Sequence, residues 1–127
     1  MSAKGYSVEI VDASKEFSKK ELLMMKDTSD AIKLDEELTN SEAIIIEPES
    51  YAVLSVHNEK SSNKEYEKFL IIDKSGAKYV TGSQNFWNSF TDICDEMGIG
   101  TDGWAVKCYR RPSKNYSGKY FITCSVI

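Results

Sequence analysis

The chain contains one histidine, His57, and three cysteines, Cys94, Cys108 and Cys124, with no Cys-x-x-Cys pair. Neither the number nor the spacing suits a zinc site. An odd cysteine count without paired spacing reads as reduced, mostly buried thiols. A cysteine nucleophile would have only His57 as its base, and nothing else in the sequence supports that arrangement. Long apolar runs are also missing. The longest, such as Ala43–Ile46 and Phe69–Ile72, fall far short of the roughly 18 residues a membrane-spanning helix needs. Met1 to Tyr6 lack the apolar centre of a signal peptide, so a cytoplasmic protein with no membrane partner is expected. There is no glycine-rich phosphate loop of the Walker type. Gly98 to Gly103 has the glycines but follows a helical pattern, so it aims no helix N-terminus at a phosphate. No metal and no cofactor is expected.

One absence is local. The last 25 residues, Gly103 to Ile127, contain no Asp or Glu. They carry five cations, Lys107, Arg110, Arg111, Lys114 and Lys119, interleaved with Trp104, Tyr109, Tyr116, Tyr120 and Phe121. The first 102 residues hold 11 of the 16 cations and all 20 acids, a formal −9 against +5 for the tail. A net charge of −4 argues against coating duplex DNA through bulk charge, but not against a local basic face. Cations that track a phosphate backbone, with flat rings between them for bases, point to single-stranded nucleic acid. The alternative is a basic surface hairpin whose aromatics pack inward.

A length of 127 residues and 41% hydrophobic content fit one soluble domain with a core of its own. Tyr6 to Val11 alternate like a short strand. Ser18-Lys19-Lys20-Glu21 fits a capping box, predicting a helix from Lys19 to about Asp27. Leu34 and Leu38, four apart, suggest another helical turn or two. The character changes at Glu42. Strands are expected near 43–47, ended by Pro48, and near 51–57, 67–73, 104–110 and 119–126, with 78–80 extending a hairpin. Gly76 suits the tight turn before Lys78. Between them lies the clearest helix, capped by Ser83 and stopped by Gly98. Its apolar stripe is Phe86, Trp87, Phe90, Ile93, Cys94 and Met97, read as core packing more than as a base platform.

The fold class expected is mostly β with helices (α+β). A helix between the third and fourth strands is the order of an OB-like five-stranded antiparallel barrel. The single domain, 1–127, would comprise an acidic, partly helical segment, 1–41, and a barrel core, 42–127.

Three stretches carry a resemblance to a known group. They are Phe69 to Tyr79, Thr81-Gly82-Ser83 leading into Phe86-Trp87-Asn88-Ser89-Phe90, and Arg111 to Thr123 with its Gly118-Lys119 turn. Together they resemble small single-stranded-DNA-binding proteins of phages and integrative mobile elements of Gram-positive bacteria. The resemblance covers under half of the chain. It implies an OB-like barrel that coats single strands in replication or transfer. Many single-stranded-DNA-binding proteins end in an acidic recruiting tail, whereas this chain ends in the strand-like Thr123-Cys124-Ser125-Val126-Ile127.

Alternation on the first tail strand separates Trp104, Val106, Cys108 and Arg110 from Ala105, Lys107, Tyr109 and Arg111. The second set is expected outside, with Arg110 reaching solvent from the strand end. The segment Pro112 to Lys119 brings in Lys114, Tyr116 and Lys119, and long loops of this kind grip oligonucleotides at barrel mouths. The expected interface is therefore Lys107, Arg110, Arg111, Lys114 and Lys119 on phosphates, with Tyr109, Tyr116 and Tyr120 stacking on bases. His57-Asn58-Glu59-Lys60 is the nearest approach to a metal nuclease. Such a site needs several ligands converging on a cation, and scattered Glu65, Glu67, Asp73 and Asp92 do not supply them. The leading expectation is a non-enzymatic single-stranded DNA-binding protein, with replication or transfer proteins and further copies of itself as possible partners. The alternative is a non-catalytic interaction module using its acidic N-terminal region.

Overall fold

The computed structural model describes residues 6–14, 16–27, 30–59, 65–112 and 120–127. The architecture is mixed α and β, mostly strand. In chain order the elements are β1 (Tyr6–Ala13), α1 (Lys19–Lys26), β2 (Ile32–Lys33), α2 (Leu34–Asn40), β3 (Ile44–Ile46), β4 (Pro48–Asn58), β5 (Glu65–Asp73), β6 (Lys78–Thr81), α3 (Gln84–Met97), β7 (Val106–Pro112) and β8 (Tyr120–Val126). They form a five-stranded sheet, β1-β4-β5-β6-β2, and a three-stranded sheet, β3-β7-β8. All pairs are antiparallel except β2 with β6.

Local signals account for several boundaries. Ser18 and Glu21 close the capping box of α1. Ser83 accepts from the Phe86 amide at the start of α3, and Gly98, at φ +88°, ends it. Gly76, at φ +93°, makes the β5–β6 turn. β3 ends before Pro48, as its sequence context suggests, but Pro48 has a second role. It begins β4, where a missing N–H is tolerated, and only Glu47 separates it from β3. The chain thus passes from the small sheet to the large one at this point.

The large sheet is buried on both faces. On one side Val53, Phe69 and Ile71 meet Phe86, Trp87 and Phe90 of α3, Leu34 and Leu38 of α2, and Val106, Cys108, Ile122 and Cys124 of the small sheet. Trp87 stacks on Phe69 at 4.8 Å and meets Tyr51 edge-on at 5.2 Å. The aromatic stripe of α3 is core, as its periodicity predicts, except that Met97 at its end is exposed. On the other side Ala52, Leu54, Leu70 and Val80 pack with Met25 of α1. Lys78 holds that helix in place by donating to the Met24 and Asp27 carbonyls at 2.7 and 3.0 Å. This is the position where a cation complements a helix C-terminus.

The two sheets do not close into a barrel, so an OB-like closed barrel is not the observed architecture. Closure would need an edge of one sheet to pair with an edge of the other. Instead β2 takes the free edge of β6, and α2 places Leu34 and Leu38 in the core. Thr81 then donates to Asp35 at 2.8 Å, tying α2 to the approach to α3. The seam left open holds a cavity of about 360 Å³ lined by Asp35, Thr39, Ser83, Arg110, Phe121 and Ile122. The first 41 residues supply two strands and Met25, Leu34 and Leu38 to the buried interior.

Candidate nucleic-acid interface

The small sheet has one buried and one open face. Ile44 pairs with Cys108 and Ile46 with Val106, while β7 and β8 pair from Val106↔Val126 to Pro112↔Tyr120. Val106 and Cys108 turn inward, as alternation predicts, and Ile122 and Cys124 of β8 join them. Opposite residues in an antiparallel pair share a face. The outer face therefore carries Ile45 on β3, Lys107, Tyr109 and Arg111 on β7, and Phe121, Thr123 and Ser125 on β8. Lys107 and Arg111 are exposed, Tyr109 and Phe121 half-buried, and Ile45 is 51% exposed. None of the three strands contains an acidic residue.

The tyrosine is held in place. Its hydroxyl and that of Ser125 share a hydrogen bond of 2.8 Å. Ser125 lies opposite Lys107 and not opposite Tyr109, so the ring slants over β8. Residues two apart on a strand are roughly 6.5–7 Å apart. Tyr109 therefore has one cation about that far away on each side, on the same face.

Other expected site residues are placed differently. Arg110 is exposed but lies on the opposite face from Lys107 and Arg111, at the seam cavity and opposite Ile122. The structure does not bring it together with the other two. Tyr120 belongs to β8, opposite Pro112. Lys114, Tyr116 and Lys119 lie outside the described residues. Phe121, Thr123 and Ser125 were missed by sequence reasoning as members of this face. Their signal was the hairpin register, which sets Phe121 against Arg111 and Thr123 against Tyr109.

Beneath the sheet the three cysteines are buried as free thiols. Burial is the main cause that pushes Cys94 and Cys124 up to about 12, and it raises Cys108 as well, with Cys124 adding to Cys94 and Cys108. Thiols in this state are poor nucleophiles.

A second polar cluster sits on the large sheet. His57 Nε2 lies 2.7 Å from Glu59 and its Nδ1 lies 3.4 Å from Glu65. Ser7, Glu9 and Ser55 complete that surface. Among the described residues no group of three or more His, Cys, Asp or Glu is arranged to hold a metal ion. Also among them, no helix is long and apolar enough to cross a membrane.

No family model, curated protein or solved structure matches this chain.

Proposed function

We propose that the chain binds single-stranded DNA through the outer face of the small sheet, as a non-catalytic protein of phage or mobile-element replication or transfer. The observation that carries the reading is Tyr109, tethered to Ser125 and flanked on one acid-free face by Lys107 and Arg111. A strand laid along β7 would set phosphates near the two cations and a base on the ring between them. Phe121 adds a second aromatic surface, and Thr123 a hydroxyl, beside it. Lys114, Tyr116 and Lys119 belong to the same proposal, whereas the register puts Tyr120 in phase with Ile122, on the Arg110 side of the sheet.

The architectural part of the proposal is an open relative of the OB-fold. What supports this is the chain order alone, with α3 following β6 and preceding β7. A cytoplasmic setting, with replication or transfer proteins or further copies as partners, belongs to the same reading.

The test is a fluorescence titration of labelled single-stranded and duplex oligonucleotides at several salt concentrations. With about three to five phosphates neutralised, log K should fall against log salt with a slope of about −2 to −3.5 for single strands. Tighter binding to duplex, or no binding at low salt, removes the reading.

A further inference from the structure

β5 has nine residues and β6 has four. Their pairing runs from Ile72↔Lys78 to Phe69↔Thr81 and stops there, because the chain leaves the sheet at Gly82 to begin α3. Glu65 to Lys68 remain paired with β4 on their other side, from His57↔Glu65 to Leu54↔Lys68. On the β6 side these four have no strand partner among the described residues. The place that β6 vacates is a slot of about 300 Å³ bounded by Tyr66, Glu67 and Lys68 on one side and Lys33, Asp35 and Glu36 on the other. An unpaired edge presents backbone N–H and C=O groups that one more strand would satisfy.

The side chains on this edge have a definite charge order. Glu65 and Glu67 are exposed, on the face that carries Phe69 and Ile71. Tyr66 and Lys68 are half-buried, on the face that carries Leu70 and Ile72. Lys68 has no carboxylate within ion-pair reach among the described residues. Its burial first, and then the charge of Lys33, hold its pKa below the ordinary lysine value. Lys33 meanwhile lies 4.0 Å from Glu36. A negative group beside Lys68 would relieve an uncompensated charge, and positive groups would suit Glu65 and Glu67.

We propose that this edge accepts an extended peptide segment of a partner protein as an added antiparallel strand, continuing the line of β6, with an acidic residue beside Lys68 and basic residues beside Glu67 and Glu65. The surface is separate from the nucleic-acid face, so the two readings stand or fall independently.

The probe is a pentapeptide labelled with fluorescein at its C-terminal end, Glu-Lys-Val-Lys-Thr, which begins opposite Lys68 because Phe69 is already paired with Thr81. In register it sets Glu against Lys68, Lys against Glu67, Val against Tyr66 and Lys against Glu65. Anisotropy should show it binding about tenfold tighter than its charge-inverted counterpart Lys-Glu-Val-Glu-Thr. The double variant Glu67→Lys/Lys68→Glu should reverse or abolish that preference. A backbone N-methylated form of the first peptide should fail to bind the unaltered protein, because strand addition needs its N–H groups. Equal affinity for the two peptides, undiminished binding of the N-methylated form, or no binding of any at about 1 mM to a protein with normal melting overturns the proposal.

Discussion

Tyr109 and Ser125 are joined hydroxyl to hydroxyl across two strands, 2.8 Å apart, although Thr123 is the residue directly opposite the tyrosine. The diagonal contact tilts the ring over β8 and fixes its outer end. A ring fixed at both ends has little rotational freedom left to lose when a base stacks on it. The core below it, with Val106, Cys108, Ile122 and Cys124 buried, holds the two strands in register.

Tyr109→Ala should lose about 1–3 kcal/mol of single-strand binding while leaving the salt slope nearly unchanged, because stacking releases no counterions. Tyr109→Phe keeps the ring and removes the tether, so most of the affinity should return. Ser125→Ala should resemble Tyr109→Phe. Oligonucleotide titrations beside thermal melts of each variant check this; a loss from Ser125→Ala as large as that from Tyr109→Ala would assign the effect to the hydroxyl pair.

Cations on the two faces of β7 should behave differently. Lys107→Ala and Arg111→Ala should each make the salt slope shallower by about 0.7, with similar effects across base sequences. Arg110→Ala should leave the slope nearly unchanged, since Arg110 is on the seam side. Titrations at four salt concentrations distinguish the three variants.

Trp87→Ala should act through the fold. Removing a ring that is 5% exposed and stacked on Phe69 opens a core cavity at a cost of about 3–5 kcal/mol. Binding measured where the variant is still folded should be unchanged. Urea unfolding with a parallel titration is the check.

The thiols predict a pH dependence. Their folded pKa values are raised above the ordinary value of 9.0, to about 12 for Cys94 and Cys124. Below about pH 9 the thiols are protonated in both states, and this contribution to stability is fully present. Between about 9 and 12 the unfolded chain sheds protons that the folded chain retains, so stability falls as pH rises. Urea midpoints at pH 8 and pH 10 should show the decline, and Cys108→Ala should lessen it. A thiol reagent at pH 8 should label none of the three in the folded protein and all three in urea.

The legible parts of the fold were those written in contiguous residues. The α3 helix carries its cap at Ser83, its stripe and its stop at Gly98 within one window. The faces of β7 followed from alternation alone, so the shared outer face of Lys107, Tyr109 and Arg111 was legible. What the sequence could not display was pairing at long range. β2 has two residues, and its parallel match to β6 accompanies the burial of Leu34 and Leu38 in the core. The Tyr109–Ser125 contact needs the register of β7 against β8. Lys68 is one of 16 cations until the early exit of β6 at Gly82 makes its edge an exception.

The outer face of the small sheet is tested most directly by backbone amide shifts on adding a short oligothymidine. The account predicts the largest shifts at Lys107, Tyr109, Arg111, Thr123 and Ser125, lost in the Tyr109→Ala/Arg111→Ala double variant. Shifts confined to β1 and β4 of the large sheet, with β7 and β8 unmoved, would contradict it.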